Sequence, residues 1–169
     1  MPSYFLDSSA IVKRYHRERG TPWVQRLCEP RTHPPLYLSS LAEVEVVAAL
    51  RRTGRTQGLH ASFVDTMVAR FERHIALSVP TSISPVYRLV PLAPTVLTLA
   101  AALCNRYWAM QPHPLRSLDA IQLACALAAA ADVSDELILV TADARLAAIA
   151  PLEGLRVINP SYPPPGSPA

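Results

Sequence analysis

Cysteine is scarce and scattered in this sequence: Cys28, Cys104 and Cys125 form neither a CxxC pair nor a ligand cluster with the histidines. That excludes a disulfide-stapled scaffold and a zinc site, and leaves three thiols that read as small buried apolar residues in a reducing compartment. Long hydrophobic runs are missing as well. The longest, Ala120 to Ala131, contains Gln122 and is too short to span a bilayer. The opening MPSYFLDSSA has neither a basic segment nor a long apolar stretch of the kind a secretion signal needs, so a cytoplasmic chain without a membrane partner is expected. Charge of one sign is also limited. A formal +3 and a pI near 9.0 fit a polyanionic partner, but many unrelated proteins share that balance. His16, His33, His60, His74 and His113 show no ligand or triad spacing, and no histidine is assigned a role. There is no internal repeat.

What is present is material for one core: 169 residues, 50% of them apolar. A single domain over residues 1–159 is expected, followed by a proline-rich stretch, 160–169, that can form neither helix nor ladder and is expected to be disordered or weakly docked. Short apolar runs at Tyr4–Leu6, Leu36–Leu38, Val86–Leu92, Leu137–Val140 and Arg156–Ile158 read as strands. Helical segments lie between them: from Ala10 to Tyr15; from Thr21, with Pro22 in its first turn and Pro30, Pro34 and Pro35 ending it; from Leu41 to Arg52, stopped by Gly54; from Leu59 to Leu77; from Pro94 to Met110; from a Ser117 cap to about Ala131; and one containing Leu146 and Ile149. Strands without polar alternation, separated by helices, predict an α/β domain with a mostly parallel sheet covered on both faces.

Ligands of such sheets collect beyond the carboxyl ends of the strands, and Asp7 and Asp143 follow apolar strand runs directly. Each also has an ordinary reading as the cap of the next helix. Asp119 lies just inside an otherwise strongly apolar helix, where burying a carboxylate without a cation or full hydrogen bonding costs several kcal/mol and the helix dipole recovers about 1 kcal/mol. Glu43 and Glu45 stand two residues apart on a helix and point in different directions, so at most one faces the same edge; Val44, Val47 and Ala48, with Leu41 as a further candidate, are expected on the packing face, and periodicity does not choose between the two acids. Carboxylates converging on one edge repel one another unless a hard divalent cation neutralises them, and oxygen-only ligation suits magnesium or manganese. Phosphodiester hydrolysis is the chemistry such a site supports.

Four blocks in order then resemble one family. Tyr4 to Tyr15 (YFLDSSAIVKRY) looks like the opening of a PIN domain, in particular of VapC-type toxins. Ser39 to Arg52 (SSLAEVEVVAALRR) resembles the second block, in which the acid follows a strand-end serine by six residues, a register that selects Glu45. Leu115 to Leu127 (LRSLDAIQLACAL) resembles the third with Asp119 as its acid, and Leu139 to Leu146 (LVTADARL) the fourth with Asp143. The resemblance implies a three-layer α/β/α fold, an Mg2+ or Mn2+ site and metal-dependent cleavage of RNA. It further implies a homodimer neutralised by a small VapB-like antitoxin. Asp7, Glu45, Asp119 and Asp143 carry over as the metal-site and catalytic acids, with Ser8 and Thr141 as supporting residues. Other readings of the same fold are a catalytically silent module that binds RNA or protein, and a phosphoesterase acting on a substrate other than RNA.

The chain is longer than many such toxins, mainly across residues 59–90 and in the tail, segments able to shape substrate or partner choice. Arg51, Arg52 and Arg55, with Lys13, Arg14, Arg17 and Arg19, are candidates for RNA phosphate contact or ordinary solvated helix surface. The stripe Phe63, Met67, Phe71 reads as core or dimer packing before base stacking.

Overall fold

The computed structural model describes residues 2–29, 36–78, 86–112 and 114–166. The proline stop at Pro30, Pro34 and Pro35, together with His33 and His113, lies outside the described residues. The described chain runs β1 (Ser3–Leu6), α1 (Ser8–Ile11) continued as a 3-10 turn (Val12–Arg14), α2 (Thr21–Leu27), β2 (Leu36–Ser39), α3 (Ala42–Thr56), α4 (Ala61–Ala76), β3 (Tyr87–Val90), α5 (Pro94–Tyr107), α6 (Ser117–Asp132), β4 (Leu137–Val140), α7 (Ala144–Ile149), a second 3-10 turn (Ala150–Glu153) and β5 (Arg156–Ile158). Among the described residues no helix is long and apolar enough to cross a membrane.

The five strands form one sheet in the order β3-β2-β1-β4-β5, and every pairing is parallel. Parallel strands need both faces covered, and β1, β2 and β4 are buried along their whole length. Side chains alternate across the pleat. Tyr4 and Leu6 enter one core with the inner faces of α1 to α4, while Phe5 enters the other with those of α5, α6 and α7. The molecule is thus a three-layer α/β/α sandwich, as its alternating strands and helices predict.

Local details differ from the sequence reading where packing decides. Gly54 does not stop α3; it is buried inside the helix, where a Cβ would stand 2.4 Å from Cγ2 of Val64, so the glycine lets α3 and α4 approach closely. The packing face of α3 is Ala42, Val46 and Leu50 with Val47 packed at its edge as expected, whereas Val44 is 69% exposed and Ala48 is also outside the core. Ser117 is the first residue of α6 and not its cap; Arg116 precedes it without a capping side-chain bond. In the α4 stripe Met67 and Phe71 are buried and Phe63 is not.

The proline-rich stretch begins docked. Pro160 is buried, and Arg19 donates from Nε to the carbonyl of Ser161 at 3.0 Å and from Nη1 to the Tyr162 hydroxyl at 2.9 Å, with its guanidinium 3.7 Å from the Tyr162 ring centroid. Gly20, at φ +93°, turns directly beneath Pro160, where a Cβ would lie 2.4 Å from the Pro160 carbonyl oxygen.

Candidate active site

From β1 the chain moves to β2 on one side of the sheet, and from β4 it moves to β5 on the other, so the direction of winding reverses between β1 and β4. A crevice opens at such a reversal beyond the carboxyl ends of the strands. Asp7 is the first residue after β1, and its N–H donates to the carbonyl of Val140 at 3.1 Å, carrying the β1–β4 pairing one step past the strand. Asp143 follows β4 by three residues.

Both acids cap helices and also face the crevice. Asp7 Oδ1 accepts from the Ala10 N–H at 3.0 Å and from Ser9 Oγ at 2.8 Å, and Oδ2 accepts from Thr141 Oγ1 at 2.9 Å. Thr141 Oγ1 in turn accepts from the Asp143 N–H at 2.9 Å. Ser9 Oγ accepts from the Ala142 N–H at 2.9 Å, so two short side chains stitch the β1 turn to the β4 turn. Asp143 Oδ1 accepts from the N–H groups of Arg145 and Leu146 at 2.7 and 3.2 Å, and its Oδ2 stands 3.8 Å from the Arg145 guanidinium.

Asp119 enters from the first turn of α6, half-buried, with Oδ2 buried and without a hydrogen-bond partner. Glu45 enters from the first turn of α3, where its Oε2 accepts from the Ser8 hydroxyl and, at 2.5 Å, from Gln122 Nε2. Glu43 points elsewhere, into a small depression beside Phe71 and Ile75. Asp7, Glu45, Asp119 and Asp143 therefore all line one cleft of about 740 Å³, with Ser8 on its wall and Thr141 buried behind Asp7.

The electrostatics are those of a buried acid cluster whose countercharges, Arg145 beside Asp143 and Lys13 and Arg52 in the wall, do not offset the burial of Asp7 and Asp119. Burial pushes Asp7 up to about 7 from an ordinary 3.8, against the lowering effect of its hydrogen bonds to Ser9, Thr141 and Ala10, and the nearby Asp143 adds to the rise. Asp119 is also raised, by burial first and then by Asp143. Lys13 supplies one cation in the wall; its side chain is 6% exposed and its Nζ lies 3.3 Å from Glu18 Oε2.

Two participants escaped the sequence reading. Ser9 is indistinguishable from an ordinary turn serine until its bonds to Asp7 and Ala142 are seen. Gln122 had a visible signal, since it breaks the apolar run of α6. One turn beyond Asp119, it is 3% exposed and donates from Nε2 to Ser8 Oγ at 3.0 Å as well as to Glu45, while its Oε1 is buried without a partner.

Among the described residues no three Asp, Glu, His or Cys side chains stand close enough to enclose an ion as placed. Their chemistry nevertheless fits a hard divalent cation. The four acids offer oxygen donors, Asp7 and Asp119 are raised by burial first and also by Asp143, and the buried oxygens of Asp119 and Gln122 lack donors that a hydrated cation would supply.

A family model described as PIN domain matches residues 4–152. No curated protein matches the chain. Among solved structures, one described as FitAB bound to an IR36 DNA fragment is similar at 19% sequence identity with a TM-score of 0.62, the match covering 97% of this chain and 99% of that one. At that identity the likeness speaks for the fold.

Proposed function

Because the chain belongs to the PIN-domain family, whose members are as a rule metal-dependent nucleases, we propose that it is an endoribonuclease of the VapC toxin type that uses Mg2+ or Mn2+. The observation that carries this reading is the unpartnered, buried Asp119 oxygen in the same cleft as Asp7 and Asp143. A fold that only bound RNA or protein would gain nothing from three carboxylates set against one another, and would lower its energy by replacing one of them.

Asp7, Asp119 and Asp143 would hold the cation, with Glu45 completing the set. When bound, such a cation supplies Lewis acidity toward a phosphodiester. Ser9, Thr141 and the Ala10 N–H fix the Asp7 carboxylate through three bonds, and α7 fixes Asp143 through its first N–H groups, so neither acid must reorganise as substrate arrives. Ser8 and Gln122 hold Glu45 by one oxygen and leave the other for a water or a proton. Lys13 and Arg52 line the same cleft and would offset phosphate charge on either flank of the scissile bond.

The toxin reading carries with it a small VapB-like antitoxin, a homodimer and a cytoplasmic setting, all as expectations of the type. The test is cleavage of a labelled structured RNA and of a DNA of equal sequence by the purified protein with and without Mg2+. RNA products should appear only with the metal, and Asp119→Asn should lower the rate by on the order of 100-fold or more. Undiminished cleavage by Asp119→Asn, or cleavage of the DNA alone, would reject the proposal.

A further inference from the structure

Beside the acid cleft lies a second one of about 640 Å³. His16, Arg17 and Glu18 line both, so the two are continuous around that corner of the chain. The far wall of the second cleft is α4, which presents Phe63 and Arg70, seven residues and about two turns apart on one face.

Phe63 is 54% exposed, although it begins the stripe that continues through the buried Met67 and Phe71. A four-residue repeat drifts about 40° per step around an α-helix, and over the two steps from Phe71 that drift carries Phe63 off the buried face. Among the described residues it is the only large apolar side chain lining the second cleft that is itself exposed. The charges around it are mostly positive. Arg14, Arg17 and Arg70 line the cleft against a single carboxylate, Glu18, which Lys13 holds at 3.3 Å. Among the described residues no carboxylate pairs with Arg17 or Arg70. His74, in the last turn of α4, is pushed down to about 4, by burial first and then by Arg14, Arg70 and Arg73.

One exposed aromatic ring between unpaired guanidiniums is too little apolar surface for an amphipathic peptide helix, which seats several anchors along a groove. It does suit a single-stranded polynucleotide, whose bases stack on a ring while its phosphates meet arginines. We propose that the second cleft is the track along which single-stranded RNA leaves the acid cleft, with a base stacked on Phe63 and flanking phosphates on Arg17 and Arg70. This rests on the reading of the acid cleft as a ribonuclease site. It adds to that reading a footprint of several nucleotides to one side of the cut.

The probe is a fluorescein-labelled 12-nucleotide RNA of mixed sequence, its binding followed by anisotropy without added divalent metal and its cleavage followed with Mg2+. Phe63→Ala should weaken binding about tenfold at fixed salt and leave the salt dependence unchanged, whereas Phe63→Tyr should bind as the parent does. Arg17→Ala combined with Arg70→Ala should weaken binding and flatten the plot of log K against log salt by about 1.4, two phosphate contacts on a single strand. Thermal melts confirm that each variant is folded, as expected for substitutions at exposed positions. In cleavage both changes should raise KM with little effect on kcat. If the parent cleaves the 12-mer and all three variants match it in affinity, salt slope and KM, the track is wrong and the ribonuclease reading stands. If the parent neither binds nor cleaves the RNA, both fall. Variants that keep RNA affinity but lose binding of a protein inhibitor would also overturn the track.

Discussion

Asp7 is held ready at the expense of stability. Its carboxyl sits at about 7 inside the fold against an ordinary 3.8, with burial the leading cause, so the folded chain binds a proton more tightly than the unfolded one. A group raised in this direction contributes its stabilisation in full below about pH 4 and loses it as pH rises through 7, a difference on the order of 4 kcal/mol. Metal-free protein should therefore melt at lower temperature at pH 8 than at pH 5. Asp7→Asn removes the buried charge while keeping an acceptor for Ser9 and Ala10. It should flatten that pH dependence and raise the melting temperature at pH 8 by several degrees while abolishing cleavage. Melting curves of both proteins at the two pH values, with chelator and with Mg2+, check this; equal pH dependence in parent and variant would mean that Asp7 is not strained. Added Mg2+ should narrow the gap at pH 8, since a cation that binds the ionised cleft stabilises the parent by mass action.

At the scale of elements, the α3–α4 pair depends on Gly54, whose Cα faces Cγ2 of Val64. Gly54→Ala gains about 1 kcal/mol of helix propensity and incurs an overpacking cost of about 1–3 kcal/mol, for a net loss of up to about 2 kcal/mol. The melting temperature should fall by a few degrees and recover in part when Val64→Ala is added, a coupling that a double-mutant cycle reads directly. A glycine near the end of a periodic segment looks the same in sequence whether it stops a helix or admits a neighbour, which is why Gly54 misleads. The same limit explains α3, whose Val44 looks like core by hydropathy yet faces solvent over the acid cleft. The strands were legible because apolar runs halt abruptly at Asp7, at Ser39 and at Thr141. Asp7 and Asp143 were legible for the same reason, as charged residues beyond buried runs, and Asp119 as a carboxylate set in an apolar helix. Choosing Glu45 over Glu43 required the family's register, and the roles of Ser9 and Gln122 required coordinates, because their partners lie at least 77 residues away, apart from the local Ser9–Asp7 bond.

At the scale of the whole molecule, the end of the described chain braces a corner near its beginning. Pro160, Ser161 and Tyr162 clasp Arg19 and Gly20, immediately after the His16–Glu18 segment that borders both clefts. A chain ending at Asn159 should melt a few degrees lower and bind RNA less tightly, with KM raised more than kcat is lowered, because the corner loses its brace. Calorimetry and steady-state cleavage of the shortened chain measure both effects, and unchanged values would show the strap to be idle. The same long closure governs the centre of the sheet. β1 is made first but occupies the middle, and its neighbour β4 is contributed by residues 137–140, with Thr141 reaching back 134 positions to hold Asp7. During synthesis an emerging chain can assemble β1, β2 and β3 with their helices, yet the place beside Asp7 stays empty until residues 137–143 have followed. The strand order thereby leaves the cleft without Asp119, Thr141 and Asp143 while the first three strands fold, so whatever chemistry the four acids carry belongs to the completed sheet alone.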